Sequence, residues 1–149
     1  MDQRQLLSEL GTIIDEVKTA VLVTTGQNNN PRARWVTPAL LHGLPGHIYC
    51  FSHPASIKVA HINTASPVAW LFQTPSLTKI ISITGIARVI DNPALKAELM
   101  ELLAPRLTTF WKVNINDSDF VVIETIIQKA EFFSADQGTT TTVAFGEGV

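Results

Sequence analysis

At 149 residues the chain is the length of one domain, and 46% hydrophobic against 16% charged residues describe a globular chain with room for a filled core. Eleven basic against thirteen acidic residues leave a net charge of −2, which removes any general electrostatic reason to bind nucleic acid or an anionic membrane surface. The one cysteine, Cys50, excludes an internal disulfide, no Cys/His spacing suits zinc, and no uncharged apolar run approaches the roughly 18–20 residues that span a bilayer.

The opening MDQRQLLSEL carries charge early and lacks a long apolar stretch, so no secretory leader is expected and a cytoplasmic location is. Leu6, Leu7, Leu10, Ile13, Ile14 and Val17 recur at three- and four-residue steps, which predicts an amphipathic helix over 4–18. AVLVTT (20–25) is a β-branched strand, followed by the turn-forming GQNNNP. ARWVTPALL (33–41) reads as a second strand, with HGLPG (42–46) closing a hairpin onto a third, HIYCF (47–51). Ser56 suits the N-cap of a short helix, SIKVAHIN, because its hydroxyl can accept from a free backbone N–H.

PVAWLFQ (67–73) is a fourth strand and LTKIISITGIARVI (77–90) a long fifth. In the fifth, Ile81, Ile83, Ala87 and Val89 share one face while Ser82, Thr84 and Arg88 share the other. Asn92-Pro93 opens a helix with Leu95, Leu99 and Leu102 along one side, and Pro105 ends or kinks it. DFVVIETI (119–126) and KAEFFSA (129–135) are the last two strands, and residues 136–149, DQGTTTTVAFGEGV, form an irregular tail. These elements predict a single, mainly β domain over 1–149, with a six- to seven-stranded antiparallel barrel over 20–135 and flanking helices. DFVVIETI and AVLVTT are apolar on both faces, so part of the barrel's outside needs cover from the helices or a second subunit.

Two clusters could carry chemistry. In FSHPASIK (51–58), Ser52 at a strand end, Ser56 at a helix cap and Lys58 in the first turn surround a helix N-terminus, a ready site for an anion. A plain helix cap with a solvated lysine is the other reading. In PRARWVTP (31–38), Arg32 and Arg34 fall on one face of a strand with no run of acids nearby; water at a sheet edge would also accommodate them. A hairpin between strands two and three would bring Arg34 to the Ser52–Lys58 corner. His42, His47, His53 and His61 lack ligand spacing and read as turn, surface or core residues. Trp35, Trp70 and Trp111 could stack on a planar ligand but fit core or interface positions equally, and Cys50 reads as buried packing. No nucleophile elbow, phosphate-binding Walker loop or dinucleotide fingerprint is present, and no residue stands out as a general acid or base.

The ordered set of a Gly/Asn turn, Pro31-x-x-Arg34, Phe51-Ser52-x-x-x-Ser56-x-Lys58, Asn63-x-x-x-Pro67-Val68-x-x-x-Phe72 and Ile83-x-Gly85-x-Ala87 resembles the pyridoxamine 5′-phosphate oxidase-like flavoproteins, over about residues 5–133. The likeness is greatest to their short branch, the general stress proteins. It implies a split β-barrel that binds FMN at a homodimer interface. Arg34 then matches the arginine that meets the flavin phosphate, and Trp35, Val36 and Thr37 the backbone that runs beside the ring. Ser52 follows the strand-three aromatic, Phe51; Ser56 is the loop serine; and Ile57-Lys58 ends in the phosphate lysine.

The departures are informative. Pyridoxamine phosphate oxidases carry Arg-Lys where Ile57-Lys58 stand here, and Arg-Gln where Lys79-Ile80 stand. Their C-terminal tryptophan and Arg-x-His have no counterpart after Phe133. The resemblance therefore implies an FMN-binding oxidoreductase with a small-molecule redox partner and without the namesake reaction. A non-enzymatic flavin store or sensor is one alternative; a deazaflavin- or haem-binding barrel is another.

Overall fold

The computed structural model describes residues 1–106 and 120–146. Helix α1 (Gln3–Val17) opens with a reciprocal cap: Asp2 accepts from the Gln5 amide and the Gln5 side chain accepts from the Asp2 amide, both at 2.8 Å. Its stripe of Leu6, Leu10, Ile13 and Ile14 is buried in the main core. Strands β1 (Ala20–Thr25) and β2 (Pro31–Val36) form a hairpin whose turn holds Asn28 and Asn29 at positive φ, which asparagine tolerates better than most residues. Then come β3 (His47–Ser52), α2 (Ile57–Thr64), β4 (Pro67–Gln73), β5 (Lys79–Ile90), α3 (Pro93–Leu103), β6 (Val121–Ser134) and β7 (Thr139–Ala144).

All seven strands pair antiparallel in one sheet, in the order β2-β1-β4-β5-β6-β3, with β7 also on β6. This is a mainly β split barrel, as expected. The expected hairpin between the second and third strands is absent: β2 pairs β1, and β3 pairs β6. The segment after β2 touches β3 through a single bridge, Ala39 to Tyr49, with N···O distances of 2.8 and 2.9 Å, which links the two ends of the sheet. Alternation of apolar residues fixes which face of a strand is buried but not which strand lies beside it.

The two final strands expected from the sequence are one continuous strand, β6, and the supposed irregular tail contains β7. Asp119, the first residue of the expected strand, lies outside the described residues. The apparent break at Ile127-Gln128 is a bulge, where the β5 pairing skips one residue between Thr84/Lys129 and Gly85/Ile127. At this bulge β6 exchanges β3 for β7 along the same edge. The Ile127 amide donates to the Gly46 carbonyl, and the Phe145 amide to the Gln128 carbonyl. Gly85 is required here, since a Cβ on it would collide with the Ile126 carbonyl oxygen.

Ile81, Ile83 and Ala87 of β5 face the core and Ser82, Thr84 and Arg88 face out, as their alternation predicts. The cover needed by the outer face of β6 comes from α3, whose Leu99 and Leu103 pack with Tyr49, Phe51 and Val122 in a second apolar cluster. Leu103, not the expected Leu102, completes that stripe; Leu102 is 38% exposed. Asn92 caps α3 with Pro93 in the first turn, and the Leu95 amide donates to its Oδ1 at 3.1 Å. The outer face of β1 stays half-open: Val21 and Val23 are only partly buried, and Trp35, opposite Val21, is 64% exposed. Among the described residues no helix is long and apolar enough to cross a membrane.

Candidate functional site

Arg34 lies directly across β1 from Leu22, and its guanidinium turns back over that strand. Nη1 donates to the Thr24 hydroxyl at 2.7 Å and to the Leu22 carbonyl at 3.3 Å. Lys58 enters from the first turn of α2. Both groups are partly buried, and neither forms an ion pair among the described residues. Burial, and the neighbouring Arg32, lower the pKa of Arg34; burial, and then Arg34 itself, lower that of Lys58. Two cations held against desolvation and against each other are a place where an anion is welcome.

The Ser52–Ser56 corner adds hydroxyls to this charge. Ser56 caps α2 as its position in the sequence predicts, accepting from the Val59 amide at 3.4 Å. The two serine oxygens are 2.7 Å apart, and the buried Ser52 donates to the His53 carbonyl at 3.1 Å. Ser56 then donates to Ser52, so an incoming anion must compete for that proton. Cys50, fully buried on the next position inward, senses both cations, although burial dominates and pushes its thiol up to about 12. The sequence offers Cys50 no basic neighbour; the fold supplies two.

Arg34, Ser52, Ser56 and Lys58 are thus brought to one region, through sheet closure rather than through the expected hairpin. Ile57, half-exposed, and Trp35 stand at its margin, while Val36 and Thr37 are partly buried. Phe51 is not brought in: its ring lies on the opposite face of β3, 4.9 Å from Phe120. Trp70 is core, stacked on Phe72 and donating to the Thr125 hydroxyl at 3.0 Å. Trp111 lies outside the described residues.

Two features escaped the sequence reading. Thr24 is fully buried, and its hydroxyl also meets His61 Nδ1 at 2.9 Å. A threonine at the third inward position of AVLVTT, after Ala20 and Leu22, was the available signal. On the outer face of β3, β6 and β5, the buried Glu124 receives Tyr49 Oη at 2.7 Å, His47 Nδ1 at 3.1 Å and Arg88 Nε at 2.7 Å. Burial pushes the Glu124 carboxyl up, but those three hydrogen bonds outweigh it and the net shift is downward. Burial and Glu124 together raise the Tyr49 phenol. A carboxylate inside the apolar run FVVIETI was its signal, because a buried charge needs partners.

A cleft of about 890 Å³ between α1, the 40–47 segment and α3 shares no residue with the Arg34–Lys58 region. The chemistry, not the volume, marks the site: that cleft holds no pair of converging cations, and a phosphate needs charge and donors rather than depth. No cluster of His, Cys, Asp or Glu suited to a metal ion occurs among the described residues.

Known proteins agree with this architecture. A protein from Clostridium acetobutylicum, described as related to general stress protein 26 of B. subtilis and of the pyridoxinephosphate oxidase family, superposes with a TM-score of 0.73 at 14% identity, over 97% of each chain. A pyridoxamine 5′-phosphate oxidase-related, FMN-binding protein from Nostoc punctiforme gives 0.66 at 10% identity, over 94% of this chain and 96% of that one. A haem-binding protein from Mycobacterium smegmatis gives 0.69 at 18% identity, over 89% of this chain and 55% of that one. At these identities the likeness establishes the fold alone. No curated protein matches the chain. The profile of the family described as pyridoxamine 5′-phosphate oxidase like matches residues 5–146, nearly the whole chain, and the protein belongs to that family.

Proposed function

We propose that the protein binds FMN, with the phosphate at Arg34, Lys58, Ser52 and Ser56, and works as an FMN-dependent oxidoreductase of the general stress type. The observation that carries this reading is the pair of partly buried cations, both with lowered pKa and neither with an acidic partner among the described residues, beside a capped helix N-terminus. The site fits the group: a dianionic phosphate would relieve the mutual repulsion of Arg34 and Lys58 and accept from the free amides of α2. Bound FMN would supply hydride or electron transfer at its ring, exchanged with a small-molecule redox partner. The chain's own residues bind and orient it, and none of those brought together is a candidate general acid or base.

The proposal includes a cytoplasmic homodimer with the flavin at the interface. The half-open apolar face of β1 and β2, with Trp35 at 64% exposure, supports it, since that surface lacks cover within one chain. Pyridoxamine phosphate oxidation is not proposed: a second phosphate and an amine need further basic groups, and beyond Lys112 only Lys129 is basic. The absorption spectrum of the purified protein tests the cofactor first. A flavin band supports the reading, whereas a Soret band would instead favour haem, which the Mycobacterium smegmatis relative binds. Turnover with NADH or NADPH then separates an enzyme from a flavin store.

A further inference from the structure

We infer that Thr24 and His61 are positioning residues for Arg34, forming a relay that aims its guanidinium at the phosphate; this rests on the FMN reading above. A guanidinium has five N–H donors in a rigid fork. Both protons of Nη1 are taken by β1, one by the Leu22 carbonyl and one by the Thr24 hydroxyl. The edge formed by Nε and Nη2 has no partner among the described residues, and that is the edge a phosphate oxygen pair takes side-on. The bond to Thr24 therefore decides which edge of Arg34 points outward.

Thr24 is in turn held from the far side. Its oxygen accepts from Arg34 at 2.7 Å and lies 2.9 Å from His61 Nδ1, which in the relay accepts the hydroxyl proton. His61 comes from α2, three positions after Lys58, so the relay ties the helix that carries one cation to the strand pair that carries the other. Gly26 makes room for the ring: a Cβ there would lie 2.7 Å from His61 Nε2 and 2.9 Å from Cδ2. Thr24 is fully buried, so the hydroxyl has no water to replace either partner. Neither Thr24 nor His61 needs to touch the ligand for the relay to set affinity.

The test compares FMN with riboflavin, which lacks the phosphate, by fluorescence titration of the purified full chain. Thr24→Val, close in shape, should weaken FMN about tenfold while leaving riboflavin affinity unchanged. Thr24→Ser should restore FMN binding. His61→Phe should weaken FMN in the same selective way, and His61→Asn, which keeps an acceptor near Nδ1, should recover most of it. In an Arg34→Ala background Thr24→Val should have no further effect, because the relay acts only through the guanidinium. A Thr24→Val variant that loses FMN and riboflavin alike, or loses FMN equally without Arg34, overturns the relay. So does one that binds FMN as well as the wild type does. Wild-type protein that binds both flavins equally would overturn the phosphate site itself, and the relay with it.

Discussion

The barrel carries two polar clusters on opposite faces of β3, and they differ in one respect. Around Glu124 every charge is answered: a buried carboxylate meets a phenol, an imidazole and a guanidinium, each within 3.1 Å. Around Arg34 and Lys58 the charges have the same sign and no carboxylate among the described residues meets either. The first cluster joins β3, β6 and β5 at one register, since Tyr49 and Arg88 both lie directly opposite Glu124. It contributes stability. The second is held together at a cost in stability that a bound anion, as proposed, would offset. A buried carboxylate with its partners is structure; partly buried cations with no acidic partner among the described residues favour an anion.

The comparison can be broken by substitutions with opposite consequences. Glu124→Ala should destabilise the protein by about 2–4 kcal/mol in urea unfolding, because it strands Tyr49 and His47 without an acceptor. In refolded samples below the unfolding midpoint its FMN affinity should stay at the wild-type value. Arg34→Ala and Lys58→Ala should each weaken FMN about ten- to a hundredfold, as loss of a charge-assisted hydrogen bond does. The same unfolding measurement on the flavin-free variants should show no loss of stability. A Lys58→Ala variant that unfolds as readily as Glu124→Ala would erase the distinction between the clusters.

Acid sharpens the contrast. The folded pKa of Glu124 is lowered, so its contribution is fully present above the ordinary glutamate value of about 4.3 and is lost as pH falls through the lowered folded value. Wild-type stability should therefore drop more steeply below about pH 4 than that of Glu124→Gln, which has no such proton to take up. Parallel curves for the two proteins would remove Glu124 from the stabilising network. The smallest effect concerns the open face. If the protein is the proposed homodimer, Trp35→Asp should shift sedimentation equilibrium toward monomer at micromolar concentration with little change in chain stability, because Trp35 is 64% exposed. An unchanged dimer would move the interface elsewhere.

Much of the fold was legible in the strand periodicities. AVLVTT and PVAWLFQ match β1 and β4 residue for residue, and Ser56 and Asn92 cap the helices their positions predict. The pairings were not legible, because period two says nothing of neighbours: the β3 partner is β6, some seventy positions away. TTTTVA has too little periodicity to announce a strand, yet threonine suits an edge strand and only Val143 needs to be buried. At the candidate site the cations, the capping Ser56 and the neighbouring Ser52 announced themselves by type. Thr24 and His61 did not, since their bond joins residues 37 positions apart and each alone reads as ordinary core.

The most direct test of the central claim is a side-by-side titration of the wild-type protein with FMN and riboflavin. If Arg34, Lys58 and the α2 N-terminus hold a phosphate, FMN should bind at least about a hundredfold more tightly, since two charge-assisted contacts depend on that group. Equal affinities would mean that the paired cations serve something other than the flavin phosphate.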